Sequence, residues 1–276
     1  MKTPKVIGLH ASPGEKLGRL LGIAPFILLV ILYLFASQIR HAENPHDKIM
    51  PTVTQMADAV KDQAFTKDKR KDSYLMLRDT VDSLTRLLVG LFAASAVGLL
   101  LGLNMGLFPG LRHLFHSFIT FFSMIPPLAI LPILFIVAGA DEGGKIILIF
   151  IGVFPLIARD IFLAVQKIPK EQITKALTLG ASEPGVTYRV VLPQIMPRLI
   201  DSVRLSLGSA WLYLIAAEAI SAESGLGYSI FLHRRQLNMD VIIPYVFWIT
   251  FLGFMMDWIL RKIVKRYYPW YAKTKD

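Results

Sequence analysis

Six blocks of about twenty mostly apolar residues dominate this chain, and they leave few folds open. They are Leu20–Ile39, Val81–Leu103, Phe115–Ala138, Ile146–Val165, Leu199–Ala222 and Val241–Ile263. A helix needs about 20 apolar residues to cross a bilayer. Lipid offers the backbone no hydrogen bonds, so such blocks must satisfy their own as helices. The expected fold is an all-α membrane protein with six transmembrane helices. Composition agrees: 54% of the 276 residues are hydrophobic and only 18% are charged, against about a quarter in soluble domains. That apolar content excludes general disorder. With no cysteine there is no disulfide scaffold, thiolate zinc site or cysteine nucleophile. The first block is too long for the apolar core of a cleaved leader, so it reads as an uncleaved helix.

The net charge of +10 is explained by topology rather than by a nucleic-acid partner. With both termini cytoplasmic, the inside segments hold sixteen Lys and Arg and the outside segments eleven. Eight of those eleven fall in the longest loop, where the positive-inside rule weighs them least. The expected organisation is a cytoplasmic N-terminal segment 1–19, a first transmembrane helix 20–39 and an external loop 40–80. A core 81–263 follows, with a polar segment 166–198 inside it, and then a basic cytoplasmic tail 264–276. The external loop carries the dense run Lys67-Asp68-Lys69-Arg70-Lys71-Asp72 and is expected to be solvated. It leads into Leu75, Leu77, Val81, Leu84 and Leu88, which share one apolar face.

The segment 166–198 is too polar to span and too patterned for a plain loop. Pro169 suits a helix start, with Glu171 in the first turn. Ile173, Ala176 and Leu177 then share a face. Gly180 fits the left-handed position that ends a helix, and Ser182 can cap a second one. Val186, Val190 and Val191 give that second helix an apolar face, and Pro193 and Pro197 are expected to close it. Spacing alone leaves two readings open, an amphipathic hairpin on the membrane surface or a docking element for another protein.

Thr174-Lys175-Ala176, Gly180 and Val190-Val191-Leu192-Pro193 resemble, without a gap, the EAA loop of bacterial ABC-importer permeases. That pattern is Glu-Ala-Ala, three residues, Gly, nine residues, then an aliphatic residue, any residue, Leu and Pro. Thr174 and Lys175 depart from it, standing where Glu and Ala are usual. The run Ser83–Gly90 looks like the start of the permease core. Ile125-Pro126-Pro127-Leu128-Ala129-Ile130-Leu131-Pro132 is similar to a stretch of the nitrate, taurine, alkanesulfonate and bicarbonate permeases. Ala216-Ala217-Glu218 and Gly225-Leu226-Gly227 resemble that subfamily too.

The resemblance implies a cytoplasmic coupling helix pair between helices four and five. Its ATPase-coupling residues would be Thr174, Lys175, Ala176, Gly180, Val190, Leu192 and Pro193. It implies the membrane-spanning subunit of an importer in the bacterial inner membrane, multi-pass, and not itself an enzyme. The implied partners are a second copy of the chain, two cytoplasmic ATPase subunits, an external solute-binding protein and the lipid bilayer, with no nucleic acid. No cofactor is expected in this chain, because ATP and Mg belong to the partner ATPase. Gly139–Lys145 imitates a phosphate loop, but Ile146 replaces the magnesium-binding hydroxyl. No strand precedes it.

Candidate substrate-pathway residues are Ser123, Met124, Pro126, Pro127, Trp211 and Glu218. Prolines 126, 127 and 132 should break helix three and free backbone carbonyls, which is tolerated at membrane depth beside a cavity. Glu218 lies well inside helix five, where a carboxyl lines a path or holds a gate by a buried hydrogen bond. Arg86, Arg159, Asp160 and Arg204 are expected near helix ends with their charges reaching the interface. Asp257 is expected to pair with Arg261, four residues on.

Anion permeases of the resembled subfamily commonly carry Arg where this chain has Ser123, and Trp where it has Ile130. The solute is therefore either of the nitrate, sulfonate/taurine or bicarbonate class, or a small urea- or guanidine-like nitrogen compound. Two rival readings are a proton-coupled transporter using Glu218 or Asp257 and a membrane-embedded enzyme. The second is poorly served by histidines scattered at 10, 41, 46, 113, 116 and 233.

Overall fold

A computed structural model describes residues 14–44, 47–68 and 73–272. His10, His46, Lys69, Arg70, Lys71, Asp72 and the end of the basic tail lie outside the described residues, as does most of the segment before Glu15. The fold is nearly all helical. Helix α1 covers Glu15–Glu43 and α2 covers Val53–Phe65. The two-residue strands β1 (Lys67–Asp68) and β2 (Ser73–Tyr74) pair antiparallel and lead into α3, Leu75–Leu107. Then come α4 (Pro109–Met124), α5 (Leu131–Ala138), α6 (Glu142–Gln166) and α7 (Lys170–Thr178). The short α8 (Glu183–Gly185) continues through a π-helical stretch, Val186–Val191, into α9 (Leu192–Ser221). Helices α10 (Leu226–Arg234), α11 (Met239–Tyr267) and α12 (Pro269–Ala272) complete the chain.

Among the described residues, five helical segments are long and apolar enough to cross a membrane. They are Glu15–Glu43, Leu75–Leu107, Glu142–Gln166, Glu183–Ser221 and Met239–Tyr267. The third apolar block is not one of them. Its prolines divide it at 125–130 into α4 and α5, since proline cannot donate to the helical ladder and disfavours helix in the residue before it.

Two further expectations are corrected. The 40–80 segment is not a plain solvated loop, because a capping box starts α2 inside it. The Thr52 backbone N–H donates to Gln55 Oε1 (2.8 Å) and the Gln55 N–H to Thr52 Oγ1 (3.3 Å). Pro193 and Pro197 do not close the second short helix; they lie at the start and within the body of α9. The π-helical stretch before them widens the turn, with the Leu192 N–H reaching back to the Thr187 carbonyl, so the helix passes the prolines unbroken.

The core is built on α3 and α6, which run parallel. Small residues fall every fourth position along α3, at Gly90, Ala94, Gly98, Gly102 and Gly106. Opposite the glycines sit Ile149, Ile157, Ile161 and Val165. A Cβ on Gly102 would lie 2.5 Å from the Ala158 carbonyl oxygen, so only glycine admits this backbone approach. Small residues at such spacing serve close van der Waals packing where lipid removes the hydrophobic drive between helices. Helix α9 runs antiparallel to this pair, and α11 packs beside it. By contrast α1 is nearly bare, with Ser37 its one buried residue. Its last turns are tied to the following segment by bonds from Tyr33 to the Pro51 carbonyl (2.7 Å), from Ser37 to the Met50 (3.0 Å) and Pro51 (3.4 Å) carbonyls, and from Arg40 to Asp47 (2.7 Å).

Candidate functional site

At one end of the bundle the first turns of α3 turn a polar face inward. Leu77, Val81 and Leu88 of the expected apolar face point outward, while Asp79, Ser83 and Arg86 are buried. In a membrane the apolar stripe of a helix marks lipid as readily as core. Glu218, at the end of α9, is fully buried beside them. Its carboxylate accepts from Ser83 Oγ (2.8 Å), Arg86 Nη1 (2.7 Å) and the Gly227 backbone N–H (2.8 Å). Arg86 also donates to the Ser224 carbonyl (2.8 Å) and to both oxygens of Glu142 at the start of α6. Glu142 takes a further bond from the buried Lys145 (2.8 Å).

A second cluster abuts the first. Asp79 accepts from the Gly225 N–H (3.0 Å), Ser229 Oγ (2.5 Å) and Tyr245 Oη (3.3 Å). Ser224 donates to Asp82 (2.5 Å), and the Leu226 N–H donates to Ser83 Oγ (2.8 Å). These bonds seat the start of α10 against α3. Gly225 makes the seating possible. Its φ is +128°, and a Cβ there would meet the Glu218 carboxyl and Arg86 Nη1 within 2.7 Å. Burial holds the His233 imidazole, on the last turn of α10, below its usual pKa.

Arg86 therefore does not reach the interface as expected: its charge is matched inside the protein by Glu218 and Glu142. Arg204 is likewise paired, to Asp201 (2.7 Å) and Asp257 (2.9 Å), and Asp160 binds Arg198 and Ser202. Arg159 is exposed. Asp257 pairs with Arg261 at 2.8 Å, in line with the sequence spacing. Glu218 and Asp257 are thus both held in ion pairs.

Half-way along α6, the break between α4 and α5 opens a cavity of about 280 Å³. Ser123, Met124, Pro126, Pro127 and Ile130 line it with Gly152, Pro155 and Tyr213. Four of the six pathway candidates are thus brought together. Trp211 and Glu218 are not among the lining residues; Trp211 is buried toward Gly253 of α11. No ionised side chain lines the cavity, and the Ser123 hydroxyl is engaged by the Thr120 carbonyl (2.7 Å). None of the arginines of α3 and α9, Arg86 and Arg204 included, is among the lining residues.

The seven coupling candidates lie at the opposite end of the bundle from Glu218. Thr174, Lys175, Gly180 and Pro193 are exposed, and Ala176, Val190 and Leu192 are half-buried. Gly180 takes φ +88° at the turn, and Ser182 Oγ caps the next helix by accepting from the Gly185 N–H (3.3 Å). Leu179 and Tyr188 are 80% and 56% exposed, an apolar face that the other described residues leave uncovered. Thr174 Oγ1 bonds back to the Lys170 carbonyl (3.1 Å). The sequence reading missed Asp79, Ser83, Glu142, Ser224 and Ser229. The available signal was the spacing of Asp79, Ser83 and Arg86 on one helical face.

Residues 94–268 match the family model of the binding-protein-dependent transport system inner membrane component. The taurine transport system permease protein TauC of Escherichia coli K12 is 34% identical over 193 residues, 70% of each chain. The bicarbonate transport system permease protein CmpB of Synechococcus elongatus is 31% identical over 194 residues, covering 67% of this chain and 69% of CmpB. In fold the chain is similar to a chain of the inward-facing MetNI methionine ABC transporter. The TM-score is 0.57 at 22% identity, covering 69% of this chain and 96% of that one. The permease motifs read from the sequence and the helical bundle around α3 and α6 thus have one explanation: this chain belongs to the binding-protein-dependent inner-membrane permeases of ABC importers.

Proposed function

We propose that the chain forms half of a translocation pathway and works as a homodimer with two cytoplasmic ATPase subunits and an external solute-binding protein. The observation that carries this reading is the exposed helix pair at 170–193, whose turn glycine and apolar face await a partner outside the bilayer. It supports docking over the surface-hairpin alternative, because Val186 and Val191 are already buried against the chain's own core while Leu179 and Tyr188 point away. ATP and Mg act in the partner. Both termini are cytoplasmic, and α4 with α5 supplies a broken sixth crossing, its gap at the cavity where solute passes.

The solute is small and polar, of the sulfonate, nitrate or bicarbonate class that the relatives' names suggest. One observation favours a second reading: Ser123 and the rest of the cavity lining offer no cation to an anion. Desolvating an ion without a partner is costly. A neutral urea-like solute avoids an uncompensated charge altogether, whereas a guanidinium finds no counter-anion in this lining either. Co-purification with the ATPase, followed by ATPase stimulation with the cognate binding protein and taurine, nitrate, bicarbonate, urea or guanidinium, tests both points. Failure to capture any ATPase overturns the assembly. Stimulation by a small anion alone overturns the second reading.

A further inference from the structure

The end of the bundle that carries the helix pair also holds a cleft of about 400 Å³, between the last turns of α6, the first turns of α9, and α12. Its lining is partly apolar, with Leu163, Ala164 and Ile195. Lys167, Arg198 and Trp270 line it as well. Asp160, the acidic lining residue, is matched by Arg198 and accepts from Ser202. The Lys167 ammonium has no ion-pair partner among the described residues, so the cleft keeps one positive charge in excess. The wall is fixed from the C-terminal side, where Tyr271 Oη donates to Asp201 (2.9 Å). Trp270 is 52% exposed beside it.

At this level α6 and α11 end and α9 begins. A lining that combines Leu163, Ala164 and Ile195 with Lys167, Arg198 and Trp270 at helix ends suits both the apolar and the charged parts of a phospholipid. Indoles favour the headgroup level, and basic pockets between helix ends suit anionic headgroups. We propose that this cleft binds the headgroup of an anionic phospholipid, with its phosphodiester at Lys167 and Arg198 and Trp270 against the glycerol region. The occupant lies against both roots of the helix pair. Ile168 and Pro169 lead into α7, and Gln194, on the other side, donates to the Val190 carbonyl (2.8 Å) and to Gln172 of α7 (3.4 Å). The lipid therefore tunes coupling, a consequence that rests on the function proposed above; the binding itself does not.

The test reads binding first. The full chain goes into phosphatidylcholine nanodiscs containing brominated phosphatidylglycerol, or brominated phosphatidylcholine as control. The signal of Trp270, one of four tryptophans, is isolated by subtracting Trp270→Phe. Stronger, saturable quenching by the glycerol lipid is expected, weakened roughly fivefold by Lys167→Gln, since one lysine near an anionic surface is worth about that factor. Equal quenching by both lipids overturns the site. Release of quenching by millimolar glycerol phosphate assigns a free phosphate ester and overturns the lipid. ATPase stimulation in the same discs is read separately: a lipid that binds without changing it leaves the site standing and removes its link to coupling.

Discussion

The two ends of the bundle treat polar residues in opposite ways. At the α3–α10 end, polar groups are drawn together and partnered: Arg86 sits between the buried Glu218 and the outer Glu142, and Asp79 is hydrogen-bonded by Gly225, Ser229 and Tyr245. At the α7–α8 end, charges stay in water and apolar side chains stand outside with them. A buried network is satisfied entirely by its own chain, so breaking it costs the fold. An exposed helix pair, under the function proposed above, is where an alteration would cost an assembly. One end holds α10 against α3, and the other is the end proposed to meet the ATPase.

The sharpest way to break this contrast is Arg86→Met. It leaves Glu218 buried and uncompensated, a loss of about 3–5 kcal/mol for a broken buried pair. Thermal unfolding in detergent should shift strongly downward, and Arg86→Met with Glu218→Gln together should recover part of the loss. A single substitution that unfolds like the parent would mean that water reaches this end. Glu218→Gln alone keeps the shape and the bonds to Ser83 and Gly227. It should assemble normally, at a cost nearer 1–3 kcal/mol, and alter transport if opening requires this contact to part. Unchanged transport would return Glu218 to packing alone.

Gly180→Val probes the other end. A Cβ there meets no atom within 4 Å, so the strain lies in the positive φ alone, about 1–2 kcal/mol. Insertion and unfolding should hardly change, while ATPase capture or substrate-stimulated ATPase activity falls. Normal coupling in a well-expressed variant would erase the difference between the two ends.

The smallest effect is at His233. Its pKa is lowered in the folded state, so the unfolded chain binds more protons in the window below the usual histidine value. Stability should fall as pH drops through that window, and His233→Gln should flatten the slope. Parallel pH profiles for the two proteins would show that α10 tolerates the charged ring.

What the sequence disclosed was whatever rests on neighbours along the chain. The apolar blocks located the spanning helices, since a bilayer demands a run of apolar residues. The prolines at 126, 127 and 132 marked the break between α4 and α5. Gly180 and Ser182 marked the turn of the helix pair. Glu218 stood out as a carboxyl among alanines.

Its partners did not stand out. Ser83 lies 135 residues from Glu218, and Asp79 lies 146 from Gly225; no local pattern joins them. The apolar stripe of α3 pointed to the wrong face, because lipid and protein core select the same side chains. Only the folded chain, by laying α9 antiparallel to α3 and seating α10 across them, decided that these charges neutralise one another. The same packing left the cavity at Ser123 without a charge. A buried charge needs a counter-ion or hydrogen-bond donors at contact distance, and that distance is a property of the tertiary structure.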